Sequence, residues 1–313
     1  MTRLSEKEKA FLKYQIYSYR YKDPWISNKK VARLLHRSIS TVNRYAQQAE
    51  QTGQFWGPTL GLFHPERKVA LLLFKDKWKV FKHLREHPSI NYVCVCQGDW
   101  DIMTVHDGPV DFSQITGYQG KIMERAREQV FIPKVTFTTW DIGFEKMETL
   151  LTQTEHLQKY TFNPKSHHPE WDEEEWEMFY YFRSNLRKKF STLRKKRPIS
   201  WRKYKEWKES LEKYCTIMIE YYPKGYLQYD SITFCFRTDY ERYIVELLSN
   251  LPTTFFVYKT EEYLLANLFM SQDYKHQTRF YEIISHLLDQ GIVAECMDAH
   301  NIIYYTPSEK ENE

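Results

Sequence analysis

SNKKVARLLHRSISTVNRYAQQAEQTGQF, residues 27–55, reads as two short helices joined by a tight turn. Ser27 caps a first helix whose Val31, Ala32, Leu34 and Leu35 share one face, the spacing an amphipathic helix needs in order to pack. His36 and Arg37 make the turn. Ser38 caps a second helix in which Val42, Ala46 and Ala49 point inward, and Gly53 follows as a left-handed stop. Ile39, Ser40, Asn43, Arg44 and Gln47 are left facing out. With Ser38 and Thr41, the polar members of that face are candidates for base edges and phosphates, because the first turns of a helix laid in a major groove make such contacts. Lys29, Lys30 and Arg37 join them as candidate DNA contacts. The competing reading is a surface helix in an ordinary bundle.

The surrounding pattern is modular. Ser5 and Glu8 make a capping box for a helix running to about Tyr21, and residues 54–63, broken by Trp56-Gly57-Pro58, read as a short hairpin. Residues 1–64 are thus expected to be a winged helix-turn-helix. Beyond them come the strand VALLLF, a helix over 75–87, the strands INYVCVC and WDIMTVH hinged at Gln97-Gly98-Asp99, a helix over 112–128 and the strand VFIPKVTFTTW. That order, β-α-β-β-α-β, makes residues 67–145 a ferredoxin-like sandwich. A linker over 146–170 contains Asn163-Pro164 and His167-His168-Pro169. The plan then repeats. Residues 171–196 read as one long helix stopped by Pro198, inside a divergent second winged helix over 171–228. Residues 229–306 repeat the sandwich, through SITFCF, a helix over 239–250, TFFVYKT, YLLANLFM, a helix over 277–290 and IVAECMDAHNIIYY, and 307–313 form a tail. The expected fold class is α+β, in two tandem units.

Charge is distributed unevenly. The net charge is +4, yet residues 1–64 and 183–208 together carry +18, so the remainder holds about 14 negative charges in excess. Basic faces on otherwise acidic domains suit a polyanion, and nucleic acid is the expected one. In the second basic segment Arg187, Lys188, Lys189, Arg194, Lys195, Lys196, Arg197, Arg202 and Lys203 are candidate phosphate contacts, with Phe190, Trp201, Tyr204 and Trp207 interleaved along the sugar backbone. The alternative is a solvated helix face. Aromatic content of 17% with 10 glycines argues against disorder. No run approaches the roughly 18 apolar residues of a membrane span, and MTRLSEKEKAF lacks the apolar core of a signal peptide, so the expected location is cytoplasmic. Cys94, Cys96, Cys215, Cys235 and Cys296 form no CxxC pair and read as reduced, mostly core thiols.

A winged helix followed by a sandwich, with VARLLHRSISTVNRYAQQAEQTGQF in the first and QGDWDI between two strands of the second, resembles the feast/famine (Lrp/AsnC) transcription regulators. The resemblance covers residues 1 to about 145, while 171–306 match in order of elements only. It implies sandwiches paired through their sheets, here within one chain and between chains. It also implies a small-molecule effector near Gly98, Asp99 and Asp101. The second half departs from the pattern. KTEEYL (residues 259–264) lacks the glycine of QGDWDI, and YCTIMIEYYPKG from Tyr214, taken as the second recognition helix, is too apolar to read bases. The resulting expectation is a sequence-specific regulator of double-stranded DNA. Its first winged helix reads the major groove and its second grips phosphates, with no cofactor, no metal and no membrane partner.

Enzyme motifs are few. His83-Leu84-Arg85-Glu86-His87 matches HxxEH, but no pattern places a further ligand, so a surface helix is the expected reading. GxSxG, phosphate-loop and GxGxxG motifs are lacking, and the chain is expected not to be an enzyme. Two alternatives share parts of the architecture. One is a replication initiator with two winged helices. The other is a siroheme-decarboxylase-like enzyme, which needs arginines and a histidine directed into a cavity. His64 and Arg67 stand near the corresponding wing, though FWGPTLGLFHPERK lacks an arginine-rich wing.

Overall fold

The computed structural model describes residues 4–64, 66–128, 130–154, 157–162 and 168–307. Ser5 and Glu8 form the capping box, each side chain accepting from the other's amide, at the head of α1 (Glu6–Lys22). Ser27 accepts from the Lys30 amide to open α2 (Asn28–Leu34), and Ser38 from the Thr41 amide to open α3 (Ile39–Gln51). Between them His36 sits at φ 50°, the left-handed turn that separates the two helices. Val31, Ala32, Val42, Ala46 and Ala49 are buried with Ile16 and Tyr17 of α1 in one core. The buried Arg20 bonds Glu50 at 2.6 Å and lies 4.8 Å from the centroid of the Phe55 ring, which ties α1 to α3 and to the strand that follows.

The chain continues through β1 (Phe55–Leu62), β2 (Arg67–Phe74), α4 (Lys77–Leu84), β3 (Ile90–Gly98), β4 (Ile102–Asp107), β5 (Tyr118–Ala126) and α5 (Trp140–Leu151). The second half runs α6 (Glu173–Phe182), α7 (Phe190–Arg194), α8 (Trp201–Tyr214), β6 (Cys215–Tyr221), β7 (Tyr229–Arg237), α9 (Glu241–Leu248), β8 (Phe255–Lys259), β9 (Leu264–Ser271), α10 (Tyr274–Asp289) and β10 (Glu295–Tyr305).

Five expectations are corrected. Residues 54–63 do not form a hairpin. Gly57-Pro58 makes a bulge rather than a reversal, and β1 pairs antiparallel with β6, from Phe55 opposite Tyr221 to Leu62 opposite Cys215. Of the expected second recognition helix from Tyr214, Cys215–Tyr221 is therefore strand, with Cys215, Ile219 and Tyr221 buried at the even spacing of a pleat. The helix preceding this strand is the basic α8. The single helix over 171–196 is broken between Phe182 and Phe190, where the chain turns aside to β1: the Arg183 carbonyl accepts from the Leu60 amide at 2.8 Å and the Leu186 amide donates to the Pro58 carbonyl at 2.9 Å. Finally, the helix over 112–128 is a short 3-10 turn, Phe112–Gln114, followed by β5, since Gly117 at φ 89° ends the turn and β2 offers an open edge. Pairing overrides the helical periodicity of KIMERA. With that edge filled by β5, residues 130–140 make only the bridge from Phe131 to Val257.

β1 and β6 form a two-stranded ribbon, and the other strands form one eight-stranded antiparallel sheet in the order β5-β2-β4-β3-β10-β7-β9-β8. In each half the order is fourth, first, third, second. The halves join where β3 pairs with β10, Gly98 opposite Ala299 through Val93 opposite Tyr305. One face packs against helices, with Leu72, Val93, Val95 and Ile102 buried beside Phe81 and Leu84 of α4. On the other face Leu71, Cys94, Met103, Cys235 and Tyr258 make a core that crosses the seam. α5 lies against α9 and α10 of the second half. A Cβ on Gly143 would stand 2.6 Å from the Asn250 carbonyl oxygen, so this approach requires glycine. Among the described residues no helix is long and apolar enough to cross a membrane.

Candidate functional site

A cavity of about 630 Å³ lies between the β1–β6 ribbon and the sheet face that crosses the seam. Leu60 and Leu62 of β1, Thr216 and Met218 of β6, and α6 wall one side. Tyr92, Met103 and Tyr258 wall the sheet side. His64 and Arg67 enter from the connection between β1 and β2. Arg127 and Glu128 enter where β5 ends, held by backbone bonds from the Arg127 amide to the Arg67 carbonyl (2.8 Å) and from the Glu128 amide to the Lys259 carbonyl (3.0 Å). Arg183 follows α6, and His168 sits at the rim with its ring edge-on to His64, centroids 5.8 Å apart.

Positive charge dominates this space. Arg67 grips Asp107 with two bonds, of 2.9 and 3.1 Å. Burial pushes the Asp107 carboxyl up, but the Arg67 guanidinium prevails and holds it below its ordinary value. The buried Nδ1 of His64 lies 3.9 Å from Asp107, too far for a hydrogen bond, and has no other partner. Arg127 has no carboxylate within ion-pair distance among the described residues. Its buried Nε lacks a hydrogen-bond partner, its guanidinium stands 5.3 Å from the Tyr258 ring centroid, and burial lowers its pKa to about 10. Glu128 is the one acid among the described lining residues, and its buried Oε2 also lacks a partner. Polar groups left unpaired in a buried wall are costly unless a ligand satisfies them. With Trp176, Phe179, Tyr180 and Phe256 adding flat apolar surface, the space suits a flat ligand that carries several carboxylates.

The residues singled out from sequence lie elsewhere, apart from His64 and Arg67. Ser38, Ser40, Asn43, Arg44 and Gln47 are exposed on α3, Thr41 is half-buried, and Lys29, Lys30 and Arg37 are exposed beside them. The Asn43 carboxamide oxygen accepts from Asn28 at 2.8 Å. The basic tract divides in two. Lys189, Arg194, Lys195, Lys196 and Arg202 face solvent. Arg187 is turned inward, donating to the Ile26 carbonyl and to the Asn28 side chain at 2.8 Å each, with burial lowering its pKa to about 10. Lys188 bonds the Tyr181 carbonyl, Arg197 pairs with Glu177 at 2.7 Å, and Lys203 pairs with Asp172 and Glu174. These four cations are engaged within the protein, which corrects their reading as free phosphate contacts. The interleaved aromatics are corrected too: Phe190 stacks on Tyr204 at 4.2 Å and Trp207 is buried, so only Trp201 of that set is exposed.

The expected effector loop is closed by the seam. Asp99 accepts from the Asp298 amide and Asp101 from the Phe74 amide, and a Cβ on Gly98 would meet the Asp298 carbonyl oxygen at 2.4 Å. Of the HxxEH pair, His83 is exposed on α4 and His87 lies beyond its end, so they do not form one helical face. His167 falls outside the described residues. Arg127-Glu128 and Arg183 were not singled out, because the pair and the single arginine come from separate elements and no local motif marks them. The only cue was the pair His64 and Arg67.

The sequence matches no family model and no curated protein. Among solved structures, that of the siroheme decarboxylase NirDL is 10% identical, covers 94% of this chain and 92% of its own, and gives a TM-score of 0.49. The same enzyme in co-complex with an iron-uroporphyrin III analogue covers 93% and 91% at 10% identity, with a TM-score of 0.48. LrpC of B. subtilis, 14% identical, covers 52% of this chain and 100% of its own at a TM-score of 0.29. The expectation of a chain without enzymatic activity is withdrawn at this point, since it conflicts with two solved structures of an enzyme that match over nearly the whole chain.

Proposed function

We propose that this chain binds a polycarboxylate tetrapyrrole of the siroheme kind in the cavity and removes carboxyl groups from it as carbon dioxide. The observation that carries the reading is Arg127, a guanidinium with a buried, unpartnered Nε in the wall of a 630 Å³ space rimmed by two imidazoles. Arg127 and Arg183 would hold ligand carboxylates, and the aromatic walls would bracket the macrocycle. In the reaction the bond between a side-chain methylene and its carboxylate carbon breaks. Carbon dioxide leaves, and the electron pair left on the methylene carbon takes a proton from His64, whose free Nδ1 borders the same space. No redox partner is required. Titrating the protein with iron uroporphyrin III should give a shifted Soret band, and Arg127→Met should weaken binding by about thirtyfold, roughly 2 kcal/mol. Incubation with siroheme should give products lighter by one carbon dioxide per carboxyl lost. An unshifted spectrum from folded protein rules the reading out.

The two halves are read as divergent copies of one unit, a winged helix (1–64 and 171–228) followed by a ferredoxin-like sandwich (67–145 and 229–306). The strand order shared by the halves of the sheet supports this. A second reading keeps double-stranded DNA as a partner, favoured by the exposed polar face of α3 with Ser40, Asn43, Arg44 and Gln47 together on it.

A further inference from the structure

Glu128 is the one acid in a cavity whose other charged lining residues, among those described, are arginines. Its backbone is pinned to β8, and its buried Oε2 has no hydrogen-bond partner although Arg127 adjoins it in sequence. Lys259 on β8 does not neutralise it, because the Lys259 ammonium is engaged by Glu241 at 3.0 Å and by the Phe162 carbonyl at 3.1 Å. Glu241 on α9 is a like charge. Arg67, Arg127, Arg183, His64 and His168 line the same space. Burial is the largest influence on the Glu128 carboxyl and pushes it up, Lys259 opposing and Glu241 reinforcing, so the proton stays on to a higher pH than on an exposed glutamate. An ionised Glu128 would repel any carboxylate that Arg127 drew in, whereas a protonated one has a hydrogen to donate.

Resting on the carboxylate-ligand reading above, we propose that Glu128 meets the ligand as a protonated carboxyl and donates a hydrogen bond to one of its carboxylates, so that ligand uptake is tied to a proton on this side chain. Binding is then full at low pH and weakens as the pH rises and Glu128 ionises. The test is absorbance titration of the full chain with iron uroporphyrin III, from about pH 4, below the ordinary glutamate range, to about 8.5. The ligand's own carboxyls titrate alike for every variant, so the ratio of affinities is the readout. Glu128→Gln, neutral throughout and still a donor, should bind as tightly as the wild type at the acid end and progressively tighter at the alkaline end, approaching tenfold per pH unit once the wild-type group ionises. Glu128→Ala, with no donor, should be weaker than Glu128→Gln at every pH. A ratio of wild type to Glu128→Gln that stays constant with pH overturns the inference and leaves the cavity reading standing. Absence of binding by folded wild type at any pH overturns both.

Discussion

At the residue scale the arginines divide by whether they have a partner. Arg67 and Arg20 have theirs, in Asp107 and Glu50, and they hold strands and helices in register. Half-buried Arg127 has no carboxylate partner among the described residues, and a cation left without one is a poor structural element but a good binding one. The paired case has its own pH signature. The folded Asp107 carboxyl titrates below its unfolded value, so its contribution to stability is present above the ordinary aspartate range, near pH 3.9, and is lost as the pH falls through the folded value. In acid-unfolding curves followed by circular dichroism, Asp107→Asn should be less stable than wild type near neutrality, and the gap should close at the acid end. A gap independent of pH would mean that packing, not charge, holds the Arg67 pair.

At the element scale the deciding feature is the β1–β6 ribbon. It joins α3 to α8 through paired backbone, so the helices that precede its two strands sit on one support. α3 and α8 then differ in what they present. α3 shows short polar side chains at its start, and α8 shows Trp201 and Arg202, with Trp207 buried and Tyr204 and Tyr214 half-buried. If α3 reads bases, Asn43→Ala and Arg44→Ala should lose about 1 to 3 kcal/mol of discrimination between preferred and scrambled DNA. Selection of bound sequences with a salt titration measures this, and an equal loss on both DNAs would leave only a phosphate role. Arg202→Ala should lower affinity for both DNAs alike and flatten the salt dependence.

At the scale of the whole molecule, the cavity exists because ribbon and sheet are separate layers that meet along one side. Its lining comes from seven strands and α6, drawn from both halves of the chain. A ligand that spans this junction stabilises the folded chain only, so unfolding should become cooperative with binding. At a free ligand concentration of about 100 times Kd, stabilisation of roughly 2.7 kcal/mol is expected, with a matching rise in Tm that Arg127→Met, at the same ligand concentration, cuts to about a third. A ligand-induced rise of the same size in Arg127→Met would place the binding site elsewhere.

What the sequence alone determined was local. Caps at Ser5, Ser27 and Ser38, the face of Val42, Ala46 and Ala49, and every element of the second sandwich were legible, because capping and periodicity act within a turn or a strand. Pairing was not. Whether WGP reverses the chain or bulges it, and whether KIMERA is helix or strand, depended on an edge offered by residues far away in sequence. The same holds for charge: Arg187 and Lys203 look no different in sequence from Arg194 and Lys195, and only packing decided which face water. The cavity is the extreme case. His64 and Arg67 hinted at it, but Arg127, Glu128 and Arg183 become a site only when a ribbon and a seam bring together residues more than a hundred positions apart.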